Sequence, residues 1–116
     1  MEKIIIKNDE INFEEIEAKV KRKILSRGGS MMAVEVHFKK GGIGKKHNHS
    51  QHEQISYILK GEFEVEVGEE KKILSKGDSF YAGENVEHGV RALKDSVILD
   101  VFTPQREDFL GNLRGE

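Results

Sequence analysis

Polar and apolar residues alternate most cleanly over Glu62-Phe63-Glu64-Val65-Glu66-Val67, with Phe63, Val65 and Val67 on one face and three glutamates on the other. A period of two is the mark of a half-buried strand. Gly68-Glu69-Glu70 then predicts a turn into a partner strand over Lys71–Leu74, and Lys76-Gly77-Asp78 a second turn before Ser79–Tyr81. Similar runs predict strands over Ile4–Lys7, Val20–Leu25, Met31–Lys39, Ile55–Leu59, Val86–Val90 and Val97–Phe102. Two short helical pieces are expected at the periphery, Phe13–Ala18 and the stretch that follows Pro104. Many short strands joined by glycine turns, with no linker and no long-period repeat, predict an all-β protein built as one sandwich or barrel.

Composition narrows the function. The 116 residues are one domain's worth, so residues 1–116 are read as a single domain with a barrel core at about 31–102. Lys and Arg total 19 against 21 for Asp and Glu, and the net charge of -2 gives no field for holding nucleic acid or an anionic membrane. A small molecule is the more natural partner. The absence of cysteine excludes disulfides, thiolate ligands and a cysteine nucleophile, so a metal site here would use nitrogen and oxygen donors. The apolar run at Ile4–Ile6 is far shorter than a signal peptide or a membrane span, which predicts a cytoplasmic protein.

The chemistry concentrates in His47-Asn48-His49-Ser50-Gln51-His52-Glu53-Gln54, where three of the five histidines fall within eight residues. On an extended strand His47 and His49 point to one face and can converge on one ion. Gln54 can return to that ion if the chain turns between Ser50 and Glu53. His52 and Glu53 lie between these residues and could compete for the ion; Glu53 is the chief rival to Gln54. His37 has no partner by spacing and reads as a strand-surface histidine.

Gly41, five residues, His47-x-His49, four residues, Gln54, six residues, Gly61 resembles the first motif of the cupin superfamily, with Gln54 in place of the usual glutamate. Gly77 and His88 fall at the spacing of the second cupin motif, while Gly83, Asn85 and Ala92 depart from its proline, glycine and asparagine. The resemblance spans about Met31 to Phe102. It implies a double-stranded β-helix, or jelly-roll barrel, that holds one divalent first-row metal (nickel, zinc, manganese or iron) through His47, His49, Gln54 and His88. A neutral amide ligand leaves the ion more positive than a carboxylate would, which favours Lewis-acid over redox chemistry.

A second cluster lies downstream. Asp100 places a carboxylate inside the apolar run Val97–Phe102, where an unpaired charge is costly. By alternation it shares a face with Ile98 and Phe102, and on a barrel strand that face could point inward. An enclosed carboxylate can have a raised pKa and act as a general acid or base. Arg106 could fold back over the barrel mouth, where its fork suits a carboxylate; a salt bridge to Glu107, Asp108 or a partner subunit is the competing use. The order HxH-x4-Gln, a later His, then Asp-x-Phe-x-Pro-x-Arg-Glu-Asp-Phe-Leu is similar to the KdgF pectin-degradation cupins. That likeness implies ketonisation of a 4,5-unsaturated uronate from pectin or alginate, with Asp100 and Arg106 catalytic and Phe102 and Arg106 contacting substrate. Two other classes stay open: a non-catalytic cupin that binds a sugar or acid, and an iron-dependent dioxygenase. A homodimer is expected, with the strand predicted at Ile4–Ile6 adding to a partner's edge.

Overall fold

The computed structural model describes residues 3–47, 52–104 and 106, without the side chains of Lys46 and His47. Ten strands follow a three-residue 3-10 turn at Asn8–Glu10: β1 (Glu14–Glu17), β2 (Val20–Gly28), β3 (Met31–Phe38), β4 (Ile43–His47), β5 (Glu53–Lys60), β6 (Glu62–Val67), β7 (Glu70–Ser75), β8 (Ser79–Ala82), β9 (His88–Ala92) and β10 (Ser96–Thr103). They form a six-stranded sheet ordered β1-β2-β3-β10-β5-β8 and a four-stranded sheet ordered β4-β9-β6-β7. Every pairing between strands is antiparallel. The all-β fold expected from the alternation is the one observed, arranged as the jelly roll that the cupin resemblance implies. Among the described residues no helix is long and apolar enough to cross a membrane.

Alternation places the core between the sheets. Met32, Val34, Val36 and Phe38 of β3 are buried every second residue, and Phe63 and Val65 of β6 meet them from the other sheet. The rings of Phe38 and Phe63 pack edge to face with centroids 5.0 Å apart, the arrangement their quadrupoles favour. Phe63, Met32, Ile58 and Val34 are the largest fully buried apolar side chains. Burial of each stabilises the fold by about 2 to 3 kcal/mol.

At Gly61, between β5 and β6, the backbone has φ of 85°, and a Cβ there would lie 1.9 Å from the Ser96 hydroxyl. Only glycine fits this corner, where the chain passes from one sheet to the other. Asn85, one of the departures from the cupin pattern, also has a positive φ, 62°. Asparagine tolerates the left-handed conformation that glycine serves elsewhere, so the departure preserves the backbone.

Three local expectations are corrected. Phe13–Ala18 is no helix, since Glu14–Glu17 is the edge strand β1, closed onto β2 through Lys19 at φ 69°. The residues favour a helix locally, but pairing with β2 decides the outcome. Ile4–Lys7 is not a strand. A single bridge, Lys3 to Arg27, ties this segment down, and Ile4 and Ile5 are exposed, so the edge proposed for dimerisation is absent in that form. The strand expected at Val86 starts at His88, because Gly83–Val86 forms a turn closed by a Val86 N–H to Gly83 C=O bond of 3.2 Å. The expected helix after Pro104 falls outside the described residues apart from Arg106, which is not helical.

Candidate active site

A cavity of about 360 Å³ opens between the sheets. Gln54 of β5, Phe80 of β8 and Ile98, Asp100 and Phe102 of β10 line it from the six-stranded sheet, His88 of β9 from the other, and Arg106 from beyond β10. Register explains the convergence: Phe102 lies opposite Gln54 and Asp100 opposite Ser56 on neighbouring strands, so all four side chains share the inner face. His88 pairs with His47 at the end of β4, which brings the start of the histidine run beside it in the backbone. The side chain of His47 and all of His49 lie outside the described residues.

Polar groups form one directed line along the wall. Gln54 Nε2 donates to Ser56 Oγ at 2.9 Å, and Ser56 Oγ donates to Asp100 Oδ1 at 2.6 Å. At the other end Gln54 Oε1 faces His88 Nε2 at 3.1 Å, while His88 Nδ1 lies 3.0 Å from the Val86 carbonyl. A carbonyl only accepts, so Nδ1 carries the proton of that bond. Ser56 has one hydroxyl proton and gives it to the ionised Asp100, so it must accept from Gln54, which turns the amide oxygen toward His88. Two lone pairs, Nε2 and Oε1, therefore converge unless a second proton lies between them. A nitrogen and an oxygen donor so placed fit a cation of the first-row divalent class. Among the described residues no group of three histidines, aspartates or glutamates is arranged to hold a metal, so His88 and Gln54 are the part of the expected ligand set whose geometry is defined.

Glu53, the rival to Gln54, points to the other face of β5. It is exposed and accepts a 2.8 Å hydrogen bond from the Tyr81 hydroxyl. Gln54 is only 7% exposed and faces the cavity. His37 lies on the outer face of β3, bonded to Glu35 at 2.6 Å and stacked edge to face on Phe13.

Burial pushes the Asp100 carboxyl up to about 6, against the opposing pull of the Ser56 hydrogen bond and of the Arg106 guanidinium. This acid can therefore both hold and release a proton near neutral pH. Arg106 is 9% exposed, and its guanidinium carbon lies 5.2 Å from the centre of the Phe102 ring, within cation–π range.

Ser56, behind the cavity wall, and Arg22, on it, escaped the sequence reading. Ser56 is fully buried and joins Gln54 to Asp100; its signal was a small hydroxyl at an inward position of β5. Arg22 is inward on β2, where Val20 and Ile24 mark the apolar face, and it lines the cavity. Its signal was hidden among Lys21, Lys23 and Arg27.

Comparison with known proteins agrees with this architecture. The cupin domain family matches residues 34–102. The pectin degradation protein KdgF of Dickeya dadantii is 46% identical over 104 residues, covering 89% of this chain and 94% of that protein. The structure of KdgF from a Halomonas species superposes with a TM-score of 0.88 at 42% identity, covering 93% of this chain and all of that one. An RmlC-like cupin from Shewanella frigidimarina gives a TM-score of 0.87 at 37% identity, over 94% of this chain and 96% of that one. A histidine-bearing jelly roll with this degree of likeness over nearly its whole length places the chain in the cupin family, among relatives of the pectin degradation protein KdgF.

Proposed function

We propose that this cupin is a metal-dependent enzyme that ketonises a 4,5-unsaturated monouronate derived from pectin or alginate. The observation that carries the reading is Asp100, an enclosed acid with a pKa of about 6, joined through Ser56 to the Gln54–His88 pair on the wall of one cavity. The likeness to the pectin degradation protein KdgF supports a substrate derived from pectin. His47, His49, Gln54 and His88 would hold the ion, which would supply Lewis acidity toward the substrate carboxylate or an adjacent oxygen.

The remaining work falls to the chain. Arg106, with Phe102 beneath it, binds the substrate carboxylate and fixes the ring against the cavity wall. Asp100 accepts the proton of the hemiacetal C1 hydroxyl as the bond from C1 to the ring oxygen breaks, giving an aldehyde and an enolate. The same carboxyl delivers that proton to C4, and the enolate becomes the 5-keto acid. Nothing is oxidised or reduced, and the product is an isomer of the substrate.

The test is to follow the ultraviolet absorbance of the conjugated alkene in 4,5-unsaturated galacturonate, with the protein loaded in turn with nickel, zinc, manganese and iron, and with a chelated control. Metal-dependent loss above the spontaneous rate, unchanged without oxygen, is the expected result. A requirement for oxygen would assign a dioxygenase, and no acceleration with any of the four would leave a binding module.

The homodimer belongs to the same proposal, resting now on the outer face of the six-stranded sheet. There Ile55 and Tyr81, paired across β5 and β8, are each 56% exposed, beside Tyr57. Sedimentation at micromolar concentration is expected to give twice the 13.2 kDa chain mass, and a monomer alone would remove it.

A further inference from the structure

The cavity wall holds a second arginine that the proposed chemistry does not use. Arg22 lies on the inner face of β2, opposite Val36 of β3, and its side chain is 14% exposed. Its Nε and Nη2 atoms each lie 2.6 Å from Glu14 Oε1 on β1. Two backbone-paired neighbours, Glu15 with Lys21 and Glu17 with Val20, already close the β1–β2 hairpin, so its edge does not depend on this ion pair alone. With the Glu14 side chain 34% exposed, the ion pair is partly solvated and gives little net stability. The alternation at this position calls for an apolar side chain, as Val20 and Ile24 provide on either side. An arginine here, facing the cavity, is therefore better accounted for by what it binds.

Arg22 approaches the cavity from the side away from Asp100. β3 separates β2 from β10, and Ile24, two residues beyond Arg22, shares Val34 as a cross-strand partner with Asp100. The two backbones are thus two strand spacings across and two residues along from each other, roughly 12 Å. One sugar ring with its substituents spans the space between two side chains reaching inward over that distance. Arg22, held by Glu14, offers guanidinium N–H donors to the cavity, which suit the oxygen of a sugar hydroxyl.

We propose that Arg22, oriented by Glu14, is the specificity-determining group of the cavity and reads the configuration of a ring hydroxyl on the sugar acid whose reacting end faces Asp100. This rests on the uronate reading. Glu14 is a positioning residue in this scheme, acting through Arg22.

The experiment compares two 4,5-unsaturated monouronates epimeric at C2 as substrates of the metal-loaded protein and its Arg22→Lys and Glu14→Gln variants. In parallel, calorimetry measures the binding of saturated glucuronate and mannuronate, which differ only in the configuration of the C2 hydroxyl, to the same proteins without any turnover. Arg22→Lys keeps the charge and removes the fork. It is expected to change the ratio of kcat/KM between the epimers at least fivefold, mainly through KM, and to change the binding ratio in the same sense. Glu14→Gln is expected to move both ratios in that direction by a smaller factor, which also serves if Arg22→Lys does not fold. Ratios within twofold of the parent in a folded variant would overturn the proposal. If the parent protein turns over neither epimer, the uronate-ketonising reading fails, and the binding ratios alone decide the role of Arg22: a fivefold change upholds it and no change overturns it.

Discussion

The inner face of β6 and the inner faces of β5 and β10 obey the same alternation and meet across the same interior, yet they are filled differently. On β6 the inward side chains include Phe63 and Val65, both buried hydrocarbon. On β5 they are Gln54, Ser56 and Ile58, and on β10 Ile98, Asp100 and Phe102, so apolar and polar groups share one face. Both faces are well enclosed, and among the described residues every buried side-chain nitrogen and oxygen has a hydrogen-bond partner. The difference teaches that enclosure serves opposite ends here: at β6 it stabilises the fold, and at β5 and β10 it perturbs a carboxyl.

The sharpest way to break this comparison is Asp100→Asn. The amide oxygen can still accept from Ser56, so the variant is expected to fold and to bind metal as the parent does in a titration. Turnover of the unsaturated uronate should fall by about 10² to 10⁴, the range for loss of a general acid–base group; unchanged turnover would remove Asp100 from the mechanism. On the other face, Phe63→Ala should lower unfolding free energy by about 3 to 5 kcal/mol in urea denaturation, since the fully buried ring meets Phe38 and leaves a cavity behind. A loss under 1 kcal/mol would mean that β6 is not the structural half of the pair.

A smaller effect sharpens the contrast. With the folded Asp100 pKa at about 6 against 3.8 ordinarily, the folded state binds more protons than the unfolded chain between those values. The contribution of Asp100 is therefore most favourable below about pH 4, declines as pH rises to about 6, and then stays low, a change of roughly 3 kcal/mol. Measured in chelator to keep metal out, the parent should lose that much more stability than Asp100→Asn between pH 4 and 7. Parallel curves would show that the carboxyl is not perturbed.

The same contrast explains what was legible in the chain. Glu62–Val67 has strict alternation bounded by glycine, and the strand falls where that pattern puts it. Asp100 stood out because its neighbours are apolar. Arg22 did not, because Lys21 and Lys23 flank it and a charge among charges is silent until the register shows which way it points. Glu14–Glu17 misled for a related reason: four residues carry too little pattern to outweigh helix-favouring composition, and a strand that short is defined by its neighbour β2. Gln54 was separable from Glu53 by the spacing to Gly61, but only the opposite faces of β5 give the physical reason.

The line from Asp100 through Ser56 to Gln54 has a sense of direction. When Asp100 is ionised it claims the one hydroxyl proton, and that choice obliges the amide to turn its oxygen outward. A protonated Asp100 can donate instead, which frees the hydroxyl to face the other way and the amide to rotate, presenting N–H groups where a lone pair had been. A single proton thus rewrites, two residues away, whether the far wall welcomes a cation or repels it.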